Sequence, residues 1–305
     1  MRQRGHLPGI ETRLPVSRNI GAIADRLFGQ STVDPGAKQR KRWGVLAGTV
    51  GIVSVVLAVA LLDATSVGWA HGLPPAVAGL FGRITRFGQS DWLLIPTGIV
   101  TLILLAADWR RVPPLQRSAW AEIGGLVGYF FVAVAVAGLI TDLVKWIVGR
   151  SRPPLFLTEG ILSFHPLSAG YLHVSFPSGH ATTVAAATVV VALISRRAAV
   201  LVGVLALAIA VSRVAVGAHY PSDVIAGAFV GAGYAYWLAD RLARKHFIFR
   251  RDRAGRMRPR VAAIRRVFAK PGGAGAMAIA LTVAVHLRPP LAGPPPQGAQ
   301  GDRPP

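Results

Sequence analysis

Between Trp43 and Leu62 the chain runs for 20 residues without a charge. At about 1.5 Å per helical residue, such a run spans a bilayer core of roughly 30 Å. Five more apolar runs follow: Trp92–Ala107, Ala119–Ile140, Ala181–Ile194, Ala198–Ser212 and Val224–Ala239. Inside lipid, backbone N–H and C=O groups must be satisfied within the segment, which leaves helices or a closed barrel. Runs of this length predict an all-α fold, a polytopic membrane bundle of six transmembrane helices. The last three runs are short for a bilayer. They reach the needed length only if the polar residues at one end of each remain helical, and polar groups at that depth are usually functional. Hydrophobic residues make up 52% and charged residues 15%, against about 25% charged in soluble domains. Glycine and alanine fill the runs, which suits close helix packing in lipid.

Charge sets the orientation. The formal net charge is +21, and 28 of the 34 Lys and Arg residues fall in the two tails and in the second-to-third and fourth-to-fifth connections. The other side holds six: Arg83, Arg86, Lys145, Arg150, Arg152 and Arg213. The positive-inside rule then predicts that both termini are cytoplasmic and that the connections after spans one, three and five face outward. The basic tails fit topology and membrane lipids rather than nucleic acid, since no recognition fold accompanies the charge. With no cysteine, disulfides, zinc–thiolate sites and thiol catalysis are excluded.

Three regions follow: a basic, largely flexible segment 1–42, a six-span domain 43–240, and a basic tail 241–305. Within the first segment a short surface helix is expected near Asn19–Phe28. The first apolar run starts at residue 43 and suits a span rather than a cleaved signal region. In the tail, Val261, Ile264, Val267 and Phe268 predict one face of a basic interfacial helix. Ala274–Leu287 is 14 residues, short of a seventh span. Residues 288–305 are rich in proline and glycine and predict disorder.

Three polar clusters fall on the outward side. Lys145 and Arg152 are seven apart, about two helical turns, and would share a face if the helix continued that far. Two such cations either hold an oxyanion or snorkel to headgroups. Asp142 is a local partner for Lys145. Pro177-Ser178-Gly179-His180 reads as a turn into a helix N-terminus, a natural phosphate site. There Ser178 either caps the helix or meets the anion, Gly179 permits close backbone approach, and His180 is placed to give a proton to a leaving oxygen. Ser212-Arg213 precedes His219 and Asp223, which are four apart with Pro221 between. A carboxylate on one imidazole nitrogen raises the basicity of the other, as a histidine nucleophile requires; a helix-end ion pair or a metal pair is the alternative. Arg213 near the end of a span calls for a bound anion or an acidic partner.

Together, Lys145-x6-Arg152-Pro153, Pro177-Ser178-Gly179-His180 and Ser212-Arg213-x5-His219-x3-Asp223 resemble the type 2 phosphatidic acid phosphatase superfamily at every specified position. The resemblance spans roughly residues 43–240. It implies a six-span helical fold, a phosphohistidine on His219, orientation of that histidine by Asp223, and leaving-group protonation by His180. It also implies that Lys145, Arg152, Arg213, Ser178 and the Gly179 N–H hold the phosphate oxygens, with no metal and no cofactor. His165 and His173 lie in the same outward connection, match no family position and read as loop residues. Arg150, Ser151, Ser175 and Phe176 receive no assignment.

The function expected from these residues is an integral membrane lipid phosphatase. It would hydrolyse a lipid phosphate or diphosphate (phosphatidic acid, phosphatidylglycerol phosphate, undecaprenyl diphosphate or lipid A type) on the outer face of the inner membrane. A vanadium-dependent haloperoxidase shares this site, but those enzymes are soluble. A channel, transporter or lipid-binding scaffold would bind an anion without needing an oriented imidazole. A zinc hydrolase lacks the supporting H-E-x-x-H pattern.

Overall fold

The computed structural model describes residues 14–28, 36–168, 170–252 and 254–285. Helices dominate. The N-terminal α1 (Pro15–Phe28) is followed by the long α2 (Ala37–Leu61), then α3 (Asp63–His71) and α4 (Pro75–Ile84). A 3-10 turn at Thr85–Gly88 leads into α5 (Asp91–Ala106), and the 35-residue α6 (Pro114–Val148) follows. The short α7 (Phe156–Glu159) belongs to a connection that ends at α8 (Gly179–Ile194). Then come α9 (Arg196–Ala215) and α10 (Pro221–Arg244). A β-hairpin pairs β1 (Phe249–Arg251) with β2 (Met257–Pro259) antiparallel, Arg250 opposite Arg258, and α11 (Ala262–Phe268) and α12 (Gly273–Val285) complete the described chain.

Among the described residues, four stretches are long and apolar enough to cross a membrane: Ala37–Leu61, Pro75–Ala106, Pro114–Val148 and Arg196–Ala215. The bent pair α11–α12, meeting at 117°, would make a fifth if it were one span. At 16 residues α8 is shorter, about 24 Å long. The expected first run extends N-terminally: Lys38–Arg42 are helical, part of α2. The first-segment helix begins at Pro15, ahead of Asn19, and is docked rather than loose. Arg18 pairs with Asp108 at 2.8 Å, and Asn19 donates to the carbonyls of Leu105 and Ala107 at the end of α5.

The tail departs from expectation at the hairpin and qualifies it at α11. The hairpin departs from an all-helical fold because Asp252 accepts from the Ala254 and Arg256 amides and so closes a turn that a helix cannot hold. The expected α11 face is divided: Val267 is buried, whereas Phe268 is 53% exposed. Ala263 and Val267 pack on Ala119 and Met277, and Glu122 of α6 accepts from the Ala263 and Ile264 amides, satisfying orphan donors of α11. The expected disorder of 288–305 concerns residues outside those described.

The core joins α6, α8, α10 and the hairpin through Tyr129, Val134, Val190, Ala235, Leu242 and Phe249. Small residues set its spacing. A Cβ at Gly227 would overlap the Ser178 carbonyl oxygen, and one at Gly231 would overlap that of Thr182. Four residues apart, the two glycines form one groove in α10, and the backbone of α8 lies in it. A buried Thr141–Thr182 hydroxyl pair at 2.9 Å ties α8 to α6.

The elements sort by charge to two ends. The basic start of α2, Asp108 with Arg18 and Arg110, the hairpin and Arg244 gather at one end, joined by the pairs Arg40–Asp240 and Arg251–Asp240. The C-terminus of α6 and the N-termini of α8 and α10 lie at the other. Gly231→Ala is expected to lower stability by about 1–3 kcal/mol, the usual range for overpacking. Urea unfolding in detergent should show this loss, with an exposed-face control, Gly233→Ala, close to wild type.

Candidate active site

The end opposite the hairpin collects the residues singled out by the motifs. After α9 the chain turns sharply, with the amides of Ala218 and His219 both donating to the Arg213 carbonyl at 3.1 and 3.2 Å. Pro221 then opens α10, where its missing N–H costs nothing. This turn buries His219 at 3% exposure, with Nδ1 3.6 Å from Asp223 Oδ2 and 3.5 Å from Ser175 Oγ. Asp223 is fully buried. Its Oδ2 accepts from Ser175 Oγ at 2.6 Å and from the Tyr220 amide at 2.9 Å, and its Oδ1 accepts from Arg150 Nη1 at 2.6 Å. Burial holds the His219 imidazole well below its ordinary range, at about 4, against the opposing pull of Asp223. The ring is therefore neutral at pH 7. The carboxylate on the Nδ1 side favours the proton there and leaves the lone pair on Nε2.

Arg150 holds this carboxylate in place. Its guanidinium is 3% exposed and bridges two buried acids, Asp223 and Asp63, the latter through Nη2 at 2.8 Å. It also donates to Ser222 Oγ and to the Ile161 carbonyl, and it lies 4.4 Å from the Tyr220 ring centroid. Asp63 accepts in turn from the Ser222 amide and hydroxyl. Burial opposes the charge on Arg150, but the two carboxylates outweigh it and hold the group above its ordinary value.

The other cations have few anionic partners. Arg152 is 6% exposed and donates to the carbonyls of Tyr171 and Ala218 at 2.8 and 3.0 Å, with its guanidinium 4.0 Å from the Tyr171 ring centroid. Burial pulls it below its ordinary value. Arg213, 8% exposed, donates to Thr85 Oγ1 at 2.6 Å, and its Nε is buried without a hydrogen-bond partner. Lys145 reaches over the start of α8, where a Cβ at Gly179 would stand 3.1 Å from its Nζ. Its acidic partner, Asp142 at 3.4 Å, is 71% exposed. His180 packs against Gly88 and lies among the charges of Arg213, Lys145 and Arg152. Ser178 donates its amide to the Asp223 carbonyl at 2.9 Å, while its buried hydroxyl has no partner. An apolar cavity of about 410 Å³, lined by Val67, Ala70, Pro153, Val214 and Ala215, reaches His219.

The fold thus brings Lys145, Arg152, Ser178, Gly179, His180, Arg213, His219 and Asp223 to one place. Two details differ from expectation. Lys145 and Arg152 do not share a helix face: Gly149, at φ 61°, ends α6, its amide bonded to the Lys145 carbonyl, and Arg152 lies in extended chain beyond it. Ser178 occupies the N-cap position of α8, but its hydroxyl makes no capping bond. Arg150, Ser175, Ser222 and Asp63 were missed. Asp63 had a readable signal, being the acid that directly follows the first apolar run. Arg150 and Ser175 had none, because their partners are 73 and 48 residues away. His165 and His173 lie together at Glu159, in the connection over the site.

Residues 126–246 match the model of the PAP2 superfamily. The chain is 37% identical over 202 residues to a lipid A 1-phosphatase of Rhizobium johnstonii, covering 66% of this chain and 82% of that protein. It is 38% identical over 167 residues to a decaprenylphosphoryl-5-phosphoribose phosphatase of Mycobacterium tuberculosis, covering 52% of this chain and 76% of the relative. Among solved structures, a PAP2-type phosphatidylglycerolphosphate phosphatase from Bacillus subtilis aligns with a TM-score of 0.48 at 22% identity, covering 66% of this chain and 96% of that one.

Two outcomes follow from the buried charges. Asp63→Ala strips one acid from a buried arginine, and losing a partner of such a pair costs about 3–5 kcal/mol. Because Asp223 remains on Arg150, a loss near about 3 kcal/mol is expected in chemical unfolding, and Asp63→Asn should lose less. His219 supplies a pH signature. Between its ordinary value of about 6.5 and its folded value of about 4, the unfolded chain binds a proton that the folded chain does not. Its contribution is complete above that window and falls as the pH drops through it. The thermal midpoint of wild type relative to His219→Asn should therefore decline from pH 6.5 to pH 4.

Proposed function

This chain belongs to the PAP2 superfamily, and we propose that it is a lipid phosphatase that cleaves a phosphate ester on a lipid A type glycolipid through a phosphohistidine. It is an integral membrane protein from a family of enzymes that act on lipid phosphates. One observation carries the reading of the site: Arg152 and Arg213 are buried cations that bond no carboxylate among the described residues, and they lie beside an unpartnered Ser178 hydroxyl and the neutral His219. A phosphate dianion would complete them.

The proposed chemistry runs in two steps. Nε2 of His219 attacks phosphorus, forming a P–N bond as the P–O bond to the lipid breaks. His180 gives a proton to the departing oxygen. Asp223 stabilises the imidazolium that develops. Lys145, Arg152, Arg213, the Ser178 hydroxyl and the Gly179 amide hold the nonbridging oxygens, whose charge grows in the transition state. Water then attacks the phosphohistidine, His180 takes its proton, and inorganic phosphate leaves. These cations supply the charge stabilisation, so the transfer needs no metal.

The proposed topology has six spans: α2, α5, α6, α8, α9 and α10. The short α8 and the polar α10 serve because their neighbours shield them, and buried irregular backbone is tolerated at membrane depth. The segregation of basic residues favours cytoplasmic termini and a site facing the outside of the inner membrane. The flanking segments 1–42 and 241–305 would then be basic cytoplasmic extensions of a catalytic domain at 43–240. The lipid A assignment rests on the Rhizobium relative, of which this chain covers 82%. The mycobacterial relative makes a polyprenyl phosphate the second candidate.

The test is phosphate release by the detergent-purified chain from lipid A, phosphatidic acid, phosphatidylglycerol phosphate and undecaprenyl diphosphate, with chelator present. Release is expected to be fastest on lipid A and to leave an acid-labile phosphoenzyme after rapid quenching. His219→Ala should lose both, and His180→Ala should slow turnover by about 10²–10⁴-fold. Phosphoenzyme in the His219 variant would overturn the assigned nucleophile, and a preference for undecaprenyl diphosphate would move the substrate to the polyprenyl class.

A further inference from the structure

The connection between α6 and α8 carries a polar cluster that phosphate binding does not use. Glu159 ends α7, His165 follows the short bridge between Arg150 and Phe164, and His173 closes the 3-10 turn Tyr171–His173. The Glu159 carboxylate faces both rings: His165 Nε2 is 3.1 Å from Oε2, and His173 Nε2 is 3.6 Å from Oε1. The rings themselves are 4.2 Å apart between centroids. One donor atom from each residue lies within 4.8 Å of the other two. His173 Nε2 is buried, and at 3.6 Å from the carboxylate it has no hydrogen-bond partner. Oε2 of the carboxylate also accepts from Ser151 Oγ at 2.5 Å and Ser163 Oγ at 2.9 Å, while Oε1, the oxygen nearest His173, accepts from neither serine.

We propose that Glu159, His165 and His173 bind a divalent transition-metal ion of the zinc class, which clamps this connection over the active site. Two imidazoles and a carboxylate are donors suited to such an ion. With metal–ligand distances of about 2.0–2.2 Å, tetrahedral donors sit roughly 3.3–3.5 Å apart. The two nitrogen–oxygen separations bracket that spacing, and all three donors lie within 4.8 Å of one another, so a modest closing of the side chains completes the site. The orphaned nitrogen of His173 gains its partner, and the two serine hydroxyls act as the outer shell that orients a ligating carboxylate. His165 and Glu159 are partly exposed, which gives an ion a way in and leaves water for the fourth position.

The position of the cluster tells what the clamp does. It joins residues 159, 165 and 173, and between the last two lies Tyr171, whose carbonyl and ring hold the Arg152 guanidinium. Ser151, the neighbour of both Arg150 and Arg152, is bonded to the same Glu159. An ion here would fix the stretch of chain that aims Arg152. It would act as a positioning element, and no step of phosphoryl transfer would run through it.

The experiment uses the full-length protein in detergent, stripped with chelator and then dialysed against Zn²⁺. Wild type and His219→Ala should each take up about one high-affinity ion per chain, which places the ion away from the phosphate site. His165→Ala alters a half-exposed residue and should lose the ion while keeping its elution profile. Ser151→Ala should bind about tenfold more weakly, as outer-shell losses do. Co²⁺ should give the visible spectrum of a tetrahedral site in wild type but not in His165→Ala. Zn²⁺ should also slow chymotrypsin cleavage at Phe164 and Tyr171 in wild type alone. Equal uptake by wild type and His165→Ala, or loss of the ion in His219→Ala, would overturn the proposal. Because none of these readouts is phosphate release, a failure here leaves the phosphatase reading intact, and a failure of that reading leaves the ion to be measured.

Discussion

The site depends on Arg150, a guanidinium buried between two carboxylates. Desolvating any one of these charges alone would be prohibitive, and together they are stable only while all three hold their geometry. Asp63 comes from the start of α3, Arg150 from just past the end of α6, and Asp223 from the first turn of α10. The ion network is therefore a three-way joint between segments distant in sequence. Its consequence falls on His219, since Asp223 can orient an imidazole only if the carboxylate is itself immobile. Ser175, the Tyr220 amide and Arg150 use most of its lone pairs, so a single direction remains open toward the ring.

Beside this balanced joint stands an unbalanced set. Lys145, Arg152 and Arg213 converge with one mostly exposed acid among them, and most of their hydrogen bonds go to carbonyls and hydroxyls. Neutral acceptors hold a guanidinium in place without neutralising it. The structure thus separates two uses of buried cations: one compensated to fix a carboxylate, the others left with charge to offer a ligand. Close helix packing makes the second use feasible. The groove at Gly227 and Gly231 draws the start of α8 down onto α10, and Gly179 lies beside Lys145 Nζ.

The long apolar runs were legible because hydropathy is a local property. Thus α2, α5, α6 and α9 appear near their expected positions, and the three motif clusters meet at one end as their shared side implied. What depended on local backbone geometry was less accessible. Seven residues between Lys145 and Arg152 suggested one helix face, but Gly149 stops the helix and the two cations converge by a turn. Phase arguments fail wherever a left-handed glycine resets the chain. Arg150 and Ser175 were silent because their meaning lies in contacts many residues away. The β-hairpin was missed for a related reason: a basic tail reads as polar and unstructured until Asp252 is seen collecting the amides of its own turn.

The depth of the site bears on which phosphates it suits. The irregular chain from Ser175 to Ser178 is almost entirely buried, and the amides of Ser175 and Ser178 find acceptors inside the protein while the Ser178 hydroxyl finds none. At about 24 Å, α8 is shorter than a bilayer core of roughly 30 Å, so in the proposed topology one of its ends lies within the core. If that end is the N-terminus, as the proposed orientation suits, a soluble ester would have to leave water to reach the cations beside it. A phosphate borne on a lipid already resides at the boundary, and its apolar part never leaves the hydrocarbon. The cavity beside His219 is walled mostly by apolar residues such as Val67, Ala70, Pro153 and Ala215, and none of Lys145, Arg152 and Arg213 lines it. Such a division matches an amphiphile, with the ester bond at the junction of its two halves.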